Sequence, residues 1–206
     1  MKKLENIKAV IFDLDGTLID TCKIYRKVWP KALADMGYEM KDEHYLAMRS
    51  LGRPFAPQKM LEWFGPSFDY DEARRIRKGY FDEHIEKYGI EQKPGAVKLL
   101  EYLKNNGIVT AIATATDIKR ATEYLKMSGL DGYFDKVLSA TMVKEGKPSP
   151  DVYLFACESL GFDPKECVAV EDAPNGLTSA FRAGLNVIMV PDQSEPTEDD
   201  LSKVYA

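Results

Sequence analysis

The sequence predicts an α/β protein in which a doubly wound parallel sheet forms the core and an α-helical segment is inserted after the first strand. Three observations support this prediction. Short apolar segments alternate with amphipathic helical segments from Pro94 onward. A continuously apolar segment near the N-terminus ends in acidic residues, and the residues between these two regions show helical patterns only. Strands that alternate with helices of this length form parallel sheets covered on both faces.

The first strand is predicted over residues 9–14, within "AVIFDLDGTLID". A β-hairpin is the alternative, because Asp15-Gly16 between hydrophobic residues is a strong hairpin signal. A hairpin needs a second strand, however, and a helical run follows this segment. The continuous apolar run also suits a strand that is buried on both faces. We therefore expect a central parallel strand that leads directly into two carboxylates, Asp13 and Asp15.

The residues after this strand predict a helical cap. Helical patterns cover three of its stretches: residues 21–37, 42–52 and 69–89. Nothing between them resembles a buried strand. We expect a cap domain over residues 18–92 and a core domain formed by residues 1–17 and 93–206.

The remaining elements alternate as a doubly wound sheet requires. Further strands are predicted at residues 108–114, 136–140, 167–172 and 186–190. Helices are predicted at residues 94–107, 117–129, 149–161 and 175–184. Prolines near helix starts and glycines at helix ends support these boundaries.

Composition excludes several classes of partner. The chain has 206 residues and a formal net charge of −5, which argues against a nucleic-acid backbone as ligand. No apolar stretch is long enough to cross a bilayer, and no targeting segment is recognisable. Cys22, Cys157 and Cys167 form no closely spaced motif and are expected to be reduced, buried thiols. We expect a cytoplasmic protein that binds neither membrane nor nucleic acid, with the oligomeric state open.

Polar residues follow the predicted strands at the points where they end. Asp13 and Asp15 follow the first strand, and Thr114 closes the second. Ligands of open parallel sheets bind beyond the carboxyl ends of the strands. Glu171 and Asp172 end a later strand. One acidic pair alone would suit a solvated turn or a helix cap, but several segments deliver polar groups to one edge.

Lys147 precedes a predicted helix in "EGKPSP" and adds a cation to this edge. The acidic residues, the Thr114 hydroxyl and the Lys147 ammonium group together suit phosphoryl transfer. Asp13, with an ordinary pKa of about 4, would be ionised at neutral pH and ready to attack a phosphate ester, forming an aspartyl phosphate. Asp15 would protonate the leaving alkoxide and later deprotonate the attacking water.

The negative charge of a phosphoryl group next to these carboxylates requires cations. Mg²⁺ prefers such hard oxygen ligands, with Asp13 and Asp172 as direct ligands and the Asp15 carbonyl and Glu171 in support. Lys147 and the Thr114 hydroxyl would hold the remaining phosphate oxygens.

These segments resemble a known family. "DLDGT", the strand-terminal Thr114, "GKPSP" with Lys147, and "VEDAPNG" are similar to the four motifs of the haloacid dehalogenase-like phosphohydrolases. The resemblance implies a Rossmann-like core, Asp13 as nucleophile, Asp15 as acid/base, and Mg²⁺ near Asp13, Asp15 and Asp172. The helical insertion resembles the cap of the subgroup that contains β-phosphoglucomutase and phosphoglycolate phosphatase.

Two activities fit this subgroup. A phosphatase acting on small phosphorylated metabolites, such as sugar or polyol phosphates, is favoured. A sugar-phosphate mutase is the alternative, because Thr114-Ala115-Thr116 is similar to the Ser-Ala-Ser of β-phosphoglucomutases. Those mutases carry a gating His where this chain has Tyr25, which argues against mutase control. A receiver-like signalling module is disfavoured, since such modules lack a large insertion after the first strand.

Substrate selection is expected to involve the cap and the second strand end. Arg53 in "GRPF" is a candidate for a substrate carboxylate or second phosphate, the alternative being an exposed loop arginine. Ala115, Thr116 and Lys147 complete the expected substrate contacts.

Several other side chains receive structural interpretations: Trp29, Trp63 and Phe64 pack the cap, Arg74, Arg75, Arg77 and Lys78 form a solvated helix face, and Thr17 and Thr21 cap a helix.

Overall fold

A computed structural model describes residue 4 and residues 6–205. Within these residues, five parallel strands form one sheet in the spatial order β3-β2-β1-β4-β5. The strands are β1 (Ala9–Phe12), β2 (Val109–Thr114), β3 (Lys136–Ser139), β4 (Cys167–Glu171) and β5 (Asn186–Met189). The predicted α/β class and the central position of the first strand are confirmed.

Nine α-helices occur in the described part of the chain. They are α1 (Cys22–Asp35), α2 (Asp42–Met48), α3 (Phe55–Phe64), α4 (Tyr70–Tyr88), α5 (Ala96–Asn105), α6 (Ile118–Met127), α7 (Asp151–Leu160), α8 (Pro174–Ala183) and α9 (Glu198–Lys203). Helix α3 is not among the helices predicted from the sequence. Its segment contains Pro54 and Pro57, which lie at the cap or in the first turn, where a missing N–H removes no helical hydrogen bond.

The sheet separates two hydrophobic clusters. Along β1, Val10 and Phe12 face one cluster while Ala9 and Ile11 face the other, as the alternation of a strand requires. Helices α5 and α6 cover the first cluster, and α7 and α8 cover the second. The sheet is therefore doubly wound, and its only open sides are its edges and the ends of its strands.

Helices α1–α4 lie between β1 and β2 in the chain. They share a hydrophobic cluster that includes Trp29, with Trp63 and Phe64 packed against it. Helices α1 and α4 also join the cluster on the sheet, where the rings of Tyr25 and Phe81 stack with centroids 4.4 Å apart. The division into a cap and a core domain stays a prediction, since this insertion packs directly onto the core.

Within the described residues, no helix is both long and apolar enough to cross a bilayer.

Candidate active site

The carboxyl edge of the sheet gathers the predicted polar residues. Asp13 follows β1, and its backbone N–H donates to the carbonyl oxygen of Val170 on β4 at 2.9 Å. Thr114 is the last residue of β2 and Glu171 the last of β4, with Asp172 directly after it. All four side chains are buried, with at most 1% exposed. Neighbouring parallel strands thus deliver these groups to one place.

Lys147 connects two of these carboxylates. Its Nζ donates to Asp13 Oδ1 and to Glu171 Oε1, both at 2.6 Å, and its side chain is completely buried. The hydroxyl of Tyr153, on α7, also donates to Glu171 Oε1 at 2.5 Å. Tyr153 is not among the site residues predicted from the sequence. It lies in an apolar helical segment, where a tyrosine side chain is expected to pack in the hydrophobic core.

Burial controls the ionisation of this cluster. Burial raises the pKa of Asp13 to about 8, with Lys147 opposing the shift and Glu171 adding to it. Burial, together with Asp13 and Glu171, also raises the pKa of Asp172 well above its usual range. For Lys147, burial lowers the pKa, but the two carboxylates outweigh it and the net shift is upward. Burial thus moves the pKa of Asp13 above the ordinary value of about 4 that the sequence leads one to expect.

The unpaired oxygens of this cluster fit a divalent cation. One carboxylate oxygen each of Asp13, Glu171 and Asp172 lie within 4.8 Å of one another. Asp13 Oδ2, Glu171 Oε2 and Asp172 Oδ2 are buried without a hydrogen-bond partner. Buried carboxylate oxygens are costly unless a charge or donor compensates them. Three such oxygens form a hard, acidic donor set of the kind that Mg²⁺ prefers.

Asp15 is held by hydroxyl groups beside this cluster. Its Oδ1 accepts from Thr21 Oγ1 at 2.5 Å, and its Oδ2 accepts from Thr116 Oγ1 at 2.7 Å. Thr21 makes no side-chain cap bond to α1, so the expected capping role is wrong. Thr17 Oγ1 lies 3.5 Å from Asp172 Oδ1. The structure therefore assigns both threonines contacts with the acidic residues.

Gly16 allows the chain to pass this cluster closely. It has φ of +88°, and a Cβ atom there would lie 2.6 Å from Asp172 Oδ2. A side chain would collide with the carboxylate and strain the backbone.

A cavity opens above Asp13 and Asp15 and reaches the inserted helices. Its sheet side includes Thr114, Ala115 and Thr116, as expected. Its helical side, formed by the inserted segment, is aromatic and basic and includes Tyr25, Trp29, Tyr45, Tyr70, Arg49, Arg74 and Arg77. Arg120, on α6 of the core, also lines the cavity. The predicted solvated face is thus wrong for Arg74 and Arg77, whereas Arg75 is exposed and paired with Glu72. The hydroxyl of Tyr25 lies 3.2 Å from that of Tyr124.

Arg53 does not line this cavity. It is exposed and forms an ion pair with Asp71, as the alternative of a loop arginine predicts. Arg49 is instead buried at the site, with Nη1 3.7 Å from Asp172 Oδ2 and Nη2 donating to Ser194 Oγ at 2.6 Å. The helical pattern of residues 42–52 includes Arg49 but does not show what its side chain contacts, so the sequence could not distinguish it from Arg53 as a site residue.

Two loops dock through their backbones. The N–H of Gly52 donates to the carbonyl of Lys147 at 2.8 Å, and that of Gly146 donates to the carbonyl of Arg53 at 2.7 Å. A Cβ atom on Gly52 would lie 2.6 Å from the Cα of Gly146. The loop after α2 therefore contacts the Lys147 loop at a separation that only glycines permit.

Comparisons with known proteins agree with this geometry. A family model described as haloacid dehalogenase-like hydrolase matches residues 7–184. Hexitol phosphatase A from Escherichia coli is 35% identical over 183 residues, 89% of this chain and 82% of that protein. Protein CbbY from Rhodobacter capsulatus is 33% identical over 205 residues, 94% of this chain and 88% of that protein. The crystal structure of β-phosphoglucomutase from Clostridium difficile superposes with a TM-score of 0.81 at 26% identity, covering 96% of this chain and 88% of that one.

Proposed function

Because the chain belongs to the haloacid dehalogenase-like hydrolases, we propose that it is a Mg²⁺-dependent phosphatase of small phosphorylated metabolites. The observation that carries the proposal is the buried cluster of Asp13, Glu171, Asp172 and Lys147, of which Asp13 also lines the cavity. Sugar or polyol phosphates are the proposed substrates, in keeping with the name of the relative hexitol phosphatase A.

Asp13 is the proposed nucleophile. Lys147 holds Asp13 through Oδ1, which fixes the orientation of the carboxylate below the cavity. Attack of Asp13 on phosphorus forms an aspartyl phosphate as the bond to the substrate oxygen breaks. Attack of water on this intermediate then releases inorganic phosphate and restores the carboxylate.

Asp15 is the proposed general acid and base. The hydroxyls of Thr21 and Thr116 fix its two oxygens. Asp15 would donate a proton to the departing alkoxide in the first step and accept one from water in the second.

Positive charge at the site would come from two sources. Asp13, Glu171 and Asp172 would hold Mg²⁺, which supplies charge that stabilises the transferring phosphoryl group. Lys147 and the Thr114 hydroxyl would orient phosphoryl oxygens from the other side.

The central test is phosphate release from p-nitrophenyl phosphate with and without Mg²⁺. We expect Asp13→Asn to reduce the rate at least a thousandfold, because a neutral amide cannot act as the nucleophile. The exposed Asp131 offers a matched control, and Asp131→Asn should keep the wild-type rate. Undiminished release by Asp13→Asn, or release that is insensitive to removal of Mg²⁺ with EDTA, would contradict the proposal.

A mutase remains a second candidate because of the likeness to β-phosphoglucomutase. The presence of Tyr25, where the resemblance expects the gating His of the mutases, favours the phosphatase. Incubation with a hexose monophosphate and catalytic amounts of its bisphosphate separates the two. A phosphatase releases inorganic phosphate faster than it interconverts phosphate positions, and the reverse ratio would establish the mutase.

A further inference from the structure

The hydroxyl of Tyr153 reaches the acidic cluster from the interior of the protein. Tyr153 lies on α7, and its side chain is completely buried, with the ring in the hydrophobic cluster that α7 and α8 cover. Its hydroxyl donates to Glu171 Oε1 at 2.5 Å. Tyr153 does not line the cavity above Asp13, so a contact with substrate does not account for this polar group.

The two carboxylate oxygens of Glu171 have different surroundings. Oε1 accepts from the Tyr153 hydroxyl and also from the Lys147 ammonium group, the latter at 2.6 Å. Oε2 is buried and has no hydrogen-bond partner among the described residues. Two donors on Oε1 restrict the rotation of the planar carboxylate and leave Oε2 as its free acceptor.

The first turn of α8 restricts Glu171 on another side. A Cβ atom on Gly176 would lie 2.1 Å from the carboxyl carbon of Glu171 and 2.1 Å from Oε2. The absence of a side chain at Gly176 thus lets the carboxylate lie directly against this helix. Glu171 therefore has little freedom to turn away from Asp13 and Asp172, each of which has a carboxylate oxygen within 4.8 Å of a Glu171 oxygen.

The ring of Tyr153 also contacts the shared lysine. Lys147 Nζ lies 5.2 Å from the ring centroid, within the range of a cation–π contact. The same ammonium group donates to Asp13 Oδ1 at 2.6 Å. Tyr153 thus contacts the cation through its ring and Glu171 through its hydroxyl, so that removing the hydroxyl alone affects only the second contact.

Compensation of a buried charge is the alternative explanation for the hydroxyl. Buried polar groups are hydrogen-bonded in most proteins, and a tyrosine can supply such a bond. Oε1 of Glu171, however, already accepts from Lys147, whereas Oε2 accepts from no donor in the described part of the chain. A donor that only compensated burial would be more effective at Oε2. Its placement on Oε1 instead keeps Oε2 available to a ligand.

We propose that Tyr153 is a positioning residue for the divalent cation: its hydroxyl holds Glu171 so that Oε2 stays available to the ion that Asp13 and Asp172 would share. This inference rests on the proposed Mg²⁺-dependent function and adds a residue that contacts neither the ion nor the substrate. Hydrogen-bonded partners of metal ligands orient those ligands, and their loss typically costs about 10–100-fold in metal affinity or activity.

Tyr153→Phe tests the proposal, because it removes the hydroxyl and keeps the ring. Isothermal titration calorimetry of the whole protein without substrate should show an increase of about tenfold in Kd for Mg²⁺. The Mg²⁺ concentration that gives half-maximal hydrolysis of p-nitrophenyl phosphate should rise by a similar factor, while kcat at saturating Mg²⁺ should change much less. The control is Tyr124→Phe, another buried tyrosine, whose hydroxyl contacts Tyr25 and Arg120 instead and whose loss should leave Kd for Mg²⁺ unchanged.

A double-mutant cycle shows whether Tyr153 acts through Glu171. Glu171→Ala removes the carboxylate and should itself weaken Mg²⁺ binding. The further increase in Kd caused by Tyr153→Phe should then disappear, because coupled residues have non-additive effects. An equal increase in the presence and absence of the Glu171 carboxylate would overturn the inference.

An unchanged Kd for Mg²⁺ in Tyr153→Phe, with a lower melting temperature, would also overturn the inference, since that is the result expected of a hydroxyl that only compensates burial. Gly176→Ala is a second variant, because its Cβ atom displaces the same carboxylate. Wild-type affinity in Gly176→Ala would overturn the inference even if Tyr153→Phe did not fold.

Failure of the proposed function gives a different result. A wild type that binds Mg²⁺ but releases no phosphate from any ester contradicts the phosphatase, while the calorimetric comparison of Tyr153→Phe with the wild type still decides the role of Tyr153. A wild type that binds no Mg²⁺ overturns both.

Discussion

The two walls of the cavity differ in charge and in how that charge is balanced. On the sheet side, Asp13 and Glu171 share Lys147 as a buried cation, and both they and the neighbouring Asp172 keep an oxygen without a hydrogen-bond partner. On the helical side, Arg74 and Arg77 keep unpaired donors and no carboxylate. The sheet side therefore presents unpaired carboxylate oxygens, whereas the helical side presents unpaired guanidinium donors.

The walls also differ in how their groups are held. The acidic side chains lie at strand ends and are buried on every side, so the backbone of the sheet fixes their positions. The arginines lie on a helix and a loop of the inserted segment, and aromatic rings orient two of them. Changes on the sheet side should therefore affect chemistry and folding, whereas changes on the helical side should affect substrate choice.

Among substitutions on the sheet side, Lys147→Met is expected to have the largest effect on stability and activity. Its loss leaves Asp13 and Glu171 buried without their shared cation, which should lower the free energy of unfolding by about 3–5 kcal/mol. Phosphatase activity should fall at least a thousandfold. Lys144→Met, an exposed lysine three residues earlier, is the control, and both variants are compared by urea denaturation and phosphate release. Equal stabilities of the two variants would contradict the ion-pair interpretation.

The docked loops test whether the two walls depend on each other. Gly52→Ala places a Cβ atom against the backbone of Gly146 and should push the loop after α2 away from Lys147. Misplacing a catalytic group by an ångström costs roughly a hundredfold, so we expect kcat/KM to fall by about that factor. Gly79→Ala, whose Cβ meets nothing within 4 Å, should leave kcat/KM unchanged. Steady-state kinetics of both variants measure kcat/KM. A wild-type value in Gly52→Ala would show that the two walls act independently.

Thr116→Val tests how Asp15 is held. Removing the hydroxyl that donates to Asp15 Oδ2 should lower kcat about tenfold, because general acid–base catalysis requires a positioned proton donor. KM should change much less, since the phosphoryl group is held elsewhere. The exposed Thr122 gives the control Thr122→Val. A change confined to KM would indicate instead that Thr116 binds substrate, as the sequence analysis expects.

The most gradual effect, small over any single pH unit, is a pH dependence of stability in the protein stripped of metal with EDTA. Asp13 has a pKa of about 8 in the folded state and an ordinary value of 3.8 when unfolded, so the folded state binds the extra proton between these values. The free energy of unfolding should therefore fall as pH rises from 5 to 8, by at most about 1.4 kcal/mol per pH unit for one proton. Thermal melting in EDTA measures this fall, and Asp13→Asn should flatten it.

Mg²⁺ should reverse this trend. Metal binding requires the ionised carboxylates, so the gain in melting temperature on adding Mg²⁺ should be larger at pH 8 than at pH 6. A gain that is independent of pH would contradict the assignment of Asp13 to the cation site.

The rule that ligands bind beyond the carboxyl ends of parallel strands was sufficient to predict the sheet side of the cavity. It brought together Asp13, Thr114, Glu171 and Asp172 without any knowledge of side-chain orientation. Their catalytic roles stay predictions. The ionisation of Asp13 could not be predicted, because its burial depends on segments distant in the sequence that close over it.

The helical side was much harder to predict. A helical pattern shows that α4 is amphipathic, but which arginines face a cavity depends on how the helix is rotated against its neighbours. The expectation for Arg74 and Arg77 is therefore a solvated face, and Arg49 is not among the predicted site residues. The contact of Tyr153 with the site could not be predicted for a related reason. Its ring belongs to an apolar cluster, and only its hydroxyl reaches Glu171.

The backbone contact between Gly52 and Gly146 has a consequence for turnover. Any movement that widens the cavity by lifting the loop after α2 must break the bonds to the carbonyls of Lys147 and Arg53. Such a movement would therefore also disturb the backbone of the segment that carries Lys147, so the shape of the cavity and the position of that segment are coupled.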